Sequence, residues 1–442
     1  MGASHDLLQA PTAALGDASI GIVGGGQLAW MLAEAARSQG VALHVQTPSP
    51  SDPAAPLAAS LVQAPVRDAE ATRQLAGRCA AVSFENEWVD LEGLAPLAAE
   101  GVAFVPGLEA LRPLVCKRSQ RQLLQRLHLP SPRWFPLEQV CQVLEQDRQR
   151  LAQAMAEQAE QEPEAGADPP PAVEPPRPRL PEGFAYPVMA KAASGGYDGR
   201  GTAVLRHDDD LEALLERVVP GSWIVEEFVA FEQELAVVAA RDAAGEVVLF
   251  PLVQTHQHSQ VCDWVLAPVE ANHGLQQAVR NIAASLLTSL GYVGVLAIEF
   301  FYGPAGLLVN EIAPRTHNSG HYTIEACNLS QFQQQLRLVA GARALEPRLQ
   351  TPGALMVNLL GFEQRDAAEA PAYDAQRQAL ADLPHAHLHW YGKQGSAIGR
   401  KLGHVTLLLQ ASEPAARRAE AMQRLEEVRR IWPLPPQAVE GA

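Results

Sequence analysis

The sequence is short of basic charge, of paired cysteines and of long apolar runs, and each shortage argues against a class of function. Its 34 lysines and arginines face 50 aspartates and glutamates, for a formal net charge of −16. So acidic a chain has little general affinity for nucleic acid or an anionic membrane, because phosphate binding needs a basic surface. An anionic ligand must therefore be caught by a local cluster of cations. The five cysteines (Cys79, Cys116, Cys141, Cys262, Cys327) are odd in number, far apart and without a CxxC pair, which suggests neither a disulfide framework nor a zinc site. No apolar run nears the length that spans a bilayer, and residues 1–17 contain no lysine or arginine. The expected location is the cytoplasm.

What is present suits a multidomain globular protein. The 442 residues are 47% hydrophobic, enough for roughly three packed domains. A β-branched run over 20–23 feeds Gly24-Gly25-Gly26 and an Ala/Leu-rich helix over 27–38. Further strands are expected over 42–46 and 80–84. Strands alternating with helices imply an α/β fold with a parallel sheet, whose ligands sit at the strand C-termini. A helical pattern over 137–161 passes into the Pro/Glu-rich stretch EPEAGADPPPAVEPPRPRLPEG, read as a disordered insertion over about 160–182. Short strands in YPVMAKAA, TAVLRH and SWIVEEFV with a helix over 209–218 suggest a small α+β lid. Residues 232–340 alternate strands (ELAVVAA, VVLFPLV, VLAIEFF, GLLVNEI) with helices over 270–290 and 320–340, and a last unit lies near HLHWYGKQGSAIGRKLGHVTLLL.

Four stretches carry chemistry. The first joins Lys191 to four glycines between positions 195 and 201, with Tyr197, Asp198 and Arg200 among them. Glycines at that density let several N–H groups point at one anion, and a lysine at the strand end reaches the same phosphates. The pattern is not GxxxxGK[ST], so another fold must hold the nucleotide. In the second, Glu226-Glu227-Phe228-Val229 ends a strand and Glu234 opens the next; such carboxylates can accept ribose hydroxyls, although strand-edge glutamates usually serve solubility. The third comprises Glu299 within an apolar strand and Glu311 at the end of the next, with Asn310 beside it. Buried carboxylates are costly unless paired or metal-bound, and two on neighbouring antiparallel strands make a hard-oxygen site for Mg²⁺ beside substrate phosphates. After them Arg315, His317, Asn318 and Ser319 would line a pocket, the arginine presenting a rigid fork to a planar oxyanion. The fourth, Gly24 to Gln27, resembles a dinucleotide turn but lacks an acid at the end of the second strand, so a phosphorylated small molecule fits it better than NAD.

The motifs GGGQL, SFENE, KAASGGYDGRG, EEFVAFEQEL, NEIAPRTHNSGHYTIEACNLSQF and YGK with GRKLGH resemble those of the N5-carboxyaminoimidazole ribonucleotide synthases, ATP-grasp enzymes of purine biosynthesis. The resemblance implies an N-terminal Rossmann-like preATP-grasp domain over 18–115 and an ATP-grasp lid over 116–225. It further implies an ATP-grasp C-lobe over 226–350 and a small C-terminal domain over 351–432. It implies ATP-driven carboxylation of 5-aminoimidazole ribonucleotide with bicarbonate, through carboxyphosphate, with Mg²⁺ or Mn²⁺ held by Glu299 and Glu311. ATP would be touched by Lys117, Lys191, Gly196, Tyr197, Asp198, Gly199, Arg200, Gly201, Glu226, Glu227, Phe228, Val229, Glu234, Asn310 and Glu311. Arg315, His317 and Asn318 would hold bicarbonate, and Asp198 would be a base for the amine. The aminoimidazole and its ribose phosphate would meet Tyr197, Gln27, Leu28, Lys393, Arg400 and Lys401, with Glu87 orienting them. A homodimer, and coupling to the mutase that consumes the product, are implied as well. Lys117 stands where the family often has arginine, and neither His256 nor His258 falls in clear register with the histidine expected near the nucleotide.

The main alternative is a formate-dependent glycinamide ribonucleotide transformylase of the same superfamily. A biotin-dependent carboxylase lacks its lysine motif here, an oxidoreductase rests only on the glycine turn, and a non-catalytic nucleotide sensor would be expected to have lost a metal acid or the lid lysine.

Overall fold

The computed structural model describes residues 15, 18–159, 175–195, 201–365, 373–393 and 395–436. The chain divides into two compact units, a larger one of Met1–Val115, Arg126–Pro130 and Phe231–Ala442, and a smaller one of Cys116–Gln125 and Ser131–Ala230.

The larger unit opens with a parallel sheet of β1 (Ser19–Val23), β2 (Ala42–Thr47), β3 (Ser60–Gln63) and β4 (Ala81–Phe84), in the order β3-β2-β1-β4. The helix Gln27–Ser38 packs Ala29, Leu32, Ala33 and Ala36 against Ile20, Ile22 and Val45. Its small residues let helix and sheet approach closely. Within this sheet only β3 escapes the sequence reading, being four residues long and partly exposed.

The smaller unit is an antiparallel sheet of β5 (Trp134–Pro136), β6 (Val188–Ala192), β7 (Thr202–Leu205) and β8 (Trp223–Glu227), ordered β5-β8-β6-β7. Val188, Ala190, Leu205 and Val225 meet Leu211 and Leu214 of the helix Asp208–Arg217 in its core. The helix Glu138–Ala159 runs close to its expected span. The expected insertion needs correction at its far end. Residues 160–174 lie outside the described residues, but from 175 on the chain packs: Leu180 is buried in the core, and Arg177 reaches Asp209 and Glu212 at 2.5 Å each. Arg179 meets Asp147 at 2.8 Å. Composition averages over a stretch and so hides a single apolar anchor such as Leu180.

The rest of the larger unit is one antiparallel sheet of nine strands. These are β9 (Gln233–Arg241), β10 (Val247–Leu249), β11 (Val253–His258), β12 (Val261–Ala267), β13 (Gly294–Gly303), β14 (Gly306–Ala313), β15 (Gly353–Leu360), β16 (Ala386–Trp390) and β17 (Lys401–Leu409). The order is β14-β13-β9-β11-β12-β15-β17-β16, with β10 on β9. The sheet runs unbroken across position 350, since β12 pairs with β15 from Trp264↔Val357 to Ala267↔Ala354. The C-terminal region therefore extends the central sheet instead of forming a layer of its own. All eight positions of β15 are buried, and a strand covered on both faces shows no alternation to read. The helix Pro414–Ile431, also unanticipated, covers it with Ala421 and Val428. The expected helix over 320–340 is instead a turn Asn318–Gly320, a short helix Thr323–Ala326 and a helix Gln331–Val339. Ser330 and Gln333 form a capping box that starts the last of these afresh.

Candidate functional site

Glu299 of β13 and Glu311 of β14 are direct cross-strand partners, beside a register shift between Glu299 and Phe300. Side chains of such partners leave the sheet on the same face with Cβ atoms roughly 5 Å apart. Two carboxylates that close repel unless a cation lies between them. Among the described residues no group of three or more His, Cys, Asp or Glu side chains could hold a metal. The donor set is thus two carboxylates with Asn310 alongside, which fits an ion that keeps water and phosphate oxygens as its other ligands, as Mg²⁺ does.

The segment after β14 brings two basic side chains to acids. Arg315 donates from Nε to Glu87 Oε2 at 2.8 Å, and His317 Nε2 lies 3.6 Å from Glu299 Oε1. The main chain here is pinned by fully buried Gln331. Its Oε1 accepts from the His317 N–H at 2.9 Å, and its Nε2 donates to the His317 carbonyl at 2.7 Å. Asn318 is buried and pairs amide to amide with Asn358 of β15. Sequence reasoning missed Gln331 and Asn358, because a glutamine in a Gln-rich helix and an asparagine in an apolar strand carry no local pattern.

The glycine turn departs from its expected use. Glu85 at the end of β4 accepts from the N–H groups of Gly26 (2.7 Å), Leu28 (3.1 Å) and Ala29 (3.3 Å). Of the N-terminal donors of the first helix, expected to receive the ribose phosphate at Gln27 and Leu28, those of Gly26, Leu28 and Ala29 already serve an internal carboxylate. The glycines admit it: a Cβ on Gly24 or Gly26 would come within 2.5 Å of Glu85. Burial raises the Glu85 carboxyl above its usual range against those three N–H bonds. The Gln27 side chain instead accepts from Lys393 Nζ at 2.6 Å, which also donates to the Lys401 carbonyl at 2.8 Å. Arg400 reaches the Gly395 carbonyl at 3.4 Å.

Near the start of β9, Glu234 is pushed up to about 7 by burial, opposed by the charge of His256. His256 lies flat on Trp264, with centroids 5.1 Å apart, whereas His258 Nε2 meets the Pro435 carbonyl at 2.9 Å. Of the two histidines, His256 is the one whose charge reaches Glu234.

In the smaller unit Glu226, 2% exposed, is bound by Lys191 Nζ at 2.8 Å and by Arg121 Nε at 2.6 Å. Burial alone would raise its carboxyl, but the two cations hold it down to about 2. Burial lowers the Lys191 ammonium, helped by Arg121 and Lys117 and opposed by Glu226. Glu227 is likewise engaged, accepting from Arg133 Nε at 2.7 Å. Both glutamates therefore hold internal cations. Phe228 is 46% exposed, and Val229 follows it half-buried. Gly196, Tyr197, Asp198, Gly199 and Arg200 lie outside the described residues; Gly201, at φ +78°, accepts at its carbonyl from the Ala192 N–H. Arg121 was also missed. Its signal was helical spacing, four positions after Lys117 on the helix Lys117–Arg126. A further signal went unread: Lys117, Lys191, Lys393 and Lys401 are the only lysines in the sequence, and all four are candidate site residues.

Comparison with known proteins gives the domains and the family of the chain. Residues 18–113 match the ribonucleotide synthetase preATP-grasp domain, 178–332 the ATP-grasp domain and 354–418 the phosphoribosylaminoimidazole carboxylase C-terminal domain. The N5-carboxyaminoimidazole ribonucleotide synthase of Synechococcus elongatus is 46% identical over 94% of this chain and 96% of its own. Two solved structures of the Aspergillus clavatus synthase are each 27% identical and cover 94% of this chain and 100% of theirs. The one with ATP has a TM-score of 0.76, and the one with ADP and 5-aminoimidazole ribonucleotide 0.73. With an ATP-grasp domain flanked by both of its characteristic neighbours, and with identity of this extent, the chain belongs to the N5-carboxyaminoimidazole ribonucleotide synthase family of ATP-grasp ligases.

Proposed function

We propose that the chain uses ATP to join bicarbonate to the amine of 5-aminoimidazole ribonucleotide, giving N5-carboxyaminoimidazole ribonucleotide, ADP and phosphate for purine biosynthesis. The observation that carries this reading is the meeting of two face-sharing carboxylates, Glu299 and Glu311, with the Arg315 guanidinium and the His317 imidazole at one sheet edge. Glycinamide ribonucleotide with formate is the weaker reading, since the relatives above are synthases of the first kind.

Glu299 and Glu311 would hold Mg²⁺, with Asn310 beside them; when bound, the ion supplies charge neutralisation on the transferring phosphoryl group. Lys191, aimed by Glu226, and Lys117 would meet ATP phosphates, together with the loop from Gly196 to Gly201. Glu234 would accept a ribose hydroxyl. A bicarbonate oxygen attacks the γ-phosphorus and ADP departs; the resulting carboxyphosphate breaks to CO₂ and phosphate. The aminoimidazole nitrogen then adds to the CO₂ carbon and loses a proton, to Asp198 in this reading. Arg315, His317 and Asn318 would orient the bicarbonate, and Glu87, by fixing Arg315, would set its angle. Lys393, Lys401 and Arg400 would supply the cations for the substrate phosphate, with Gln27 holding Lys393 in place. A cytoplasmic homodimer that passes its product to a mutase completes the proposal.

The primary test is phosphate release from Mg·ATP. Addition of 5-aminoimidazole ribonucleotide in bicarbonate buffer should stimulate it, whereas glycinamide ribonucleotide with formate should not. Stimulation by the formate pair alone would replace the substrate assignment. The state of Glu234 gives a second expectation. A carboxyl near 7 accepts a hydroxyl better once ionised, so KM for ATP should rise severalfold as pH falls from 8 to 6. Glu234→Gln should flatten that profile, and a slope unchanged in the variant would remove Glu234 from the nucleotide site.

A further inference from the structure

We infer that Asn358 is a positioning residue for the bicarbonate step, acting through Asn318. The two side chains form a closed ring of hydrogen bonds: Asn318 Nδ2 donates to Asn358 Oδ1 at 2.9 Å, and Asn358 Nδ2 donates to Asn318 Oδ1 at 2.7 Å. The second Asn358 N–H goes to the Cys262 carbonyl at 2.9 Å. Asn358 is fully buried and Asn318 is 7% exposed.

The arithmetic of an amide gives this ring its meaning. Each carboxamide has two N–H donors and two acceptor lone pairs. The ring takes one of each from Asn318, leaving it one N–H and one lone pair. It also fixes which edge of the amide carries the donor, because a flipped Asn318 would set N–H against N–H and oxygen against oxygen. Asn358 cannot flip to follow, since its second N–H is held by Cys262 of β12. A buried polar side chain in an all-buried strand is costly unless it is satisfied in this way. Asn358 is therefore part of what makes Asn318 a donor of fixed direction beside His317. The inference rests on the proposed placement of bicarbonate at Arg315, His317 and Asn318.

The test is steady-state kinetics on Asn358→Asp and Asn358→Ser, with melting temperature measured in parallel. Ionised aspartate can accept from Asn318 but cannot donate to it or to Cys262; serine is too short to close the ring. Both variants should raise KM for bicarbonate about tenfold. Both should also release more phosphate per carboxylated product, while KM for ATP stays within about twofold. A variant of either kind that melts lower yet keeps native KM for bicarbonate and native coupling would make Asn358 merely structural and overturn the inference. If the unsubstituted protein shows no aminoimidazole-stimulated, bicarbonate-dependent turnover, the functional reading fails and this inference falls with it.

Discussion

Glu311→Gln is expected to lower aminoimidazole-stimulated phosphate release by about a thousandfold, the equivalent of roughly 4 kcal/mol of transition-state stabilisation. The substitution keeps the shape of the side chain but removes half of the anionic donor set formed with Glu299. Phosphoryl transfer asks little covalent chemistry of a protein and depends on charge neutralisation and alignment. Loss of one carboxylate should therefore fall on kcat. The strand pairing is main-chain and should survive, so melting temperature should hold or rise slightly as the repulsion between the two acids is relieved. Phosphate release near the native rate in Glu311→Gln would show that the acids do not hold the metal.

Glu226→Gln should act mainly through stability. Glu226 is the common partner of Lys191 and Arg121, and all three side chains are largely buried. Removing the shared anion takes the compensating charge of Glu226 from two buried cations, and breaking a buried ion pair typically costs about 3–5 kcal/mol. The smaller unit's melting temperature should fall by more than about 10 °C, and Lys191 should lose its fixed direction. The acid limb supplies an independent check. Glu226 is held at about 2 against an ordinary 4.5, so its contribution is intact above about 4.5. That contribution is lost as pH falls through the window down to about 2. Circular dichroism of the native protein should show destabilisation across that window beyond what Glu226→Gln shows. Equal acid sensitivity in both would mean that this carboxylate is not charged in the folded state.

Much of this arrangement was legible in the sequence, and the gaps have physical causes. The first strand, turn and helix could be read because β-branched residues, glycines and an Ala/Leu run each favour one local conformation. Glu299 and Glu311 stood out because acids are rare in apolar strands, and the structure sets them side by side as cross-strand partners. What could not be read is what depends on pairing between distant segments. Glu85 in the glycine turn is 59 positions from Gly26, and Asn358 is 40 from Asn318. A residue whose meaning lies in a hydrogen bond across such a span leaves no local trace. The same holds for Glu226 and Glu227, expected to meet a nucleotide, whose carboxylates pair with cations of their own unit.

The confinement of lysine to positions 117, 191, 393 and 401 has a chemical consequence. Every other fixed positive charge on the side chains is an arginine guanidinium, which does not react with acylating reagents under mild conditions. Apart from the terminal amine, the only primary amines available to an activated ester, an aldehyde or an acetyl donor are those of the candidate site. Amine-directed labels thus become reporters of site occupancy, and protection by ATP or by the aminoimidazole nucleotide would sort the four lysines by ligand. The same scarcity makes lysine-directed immobilisation or cross-linking a poor choice for this protein, since any attachment through a side chain would fall on a residue proposed to bind ATP or the substrate.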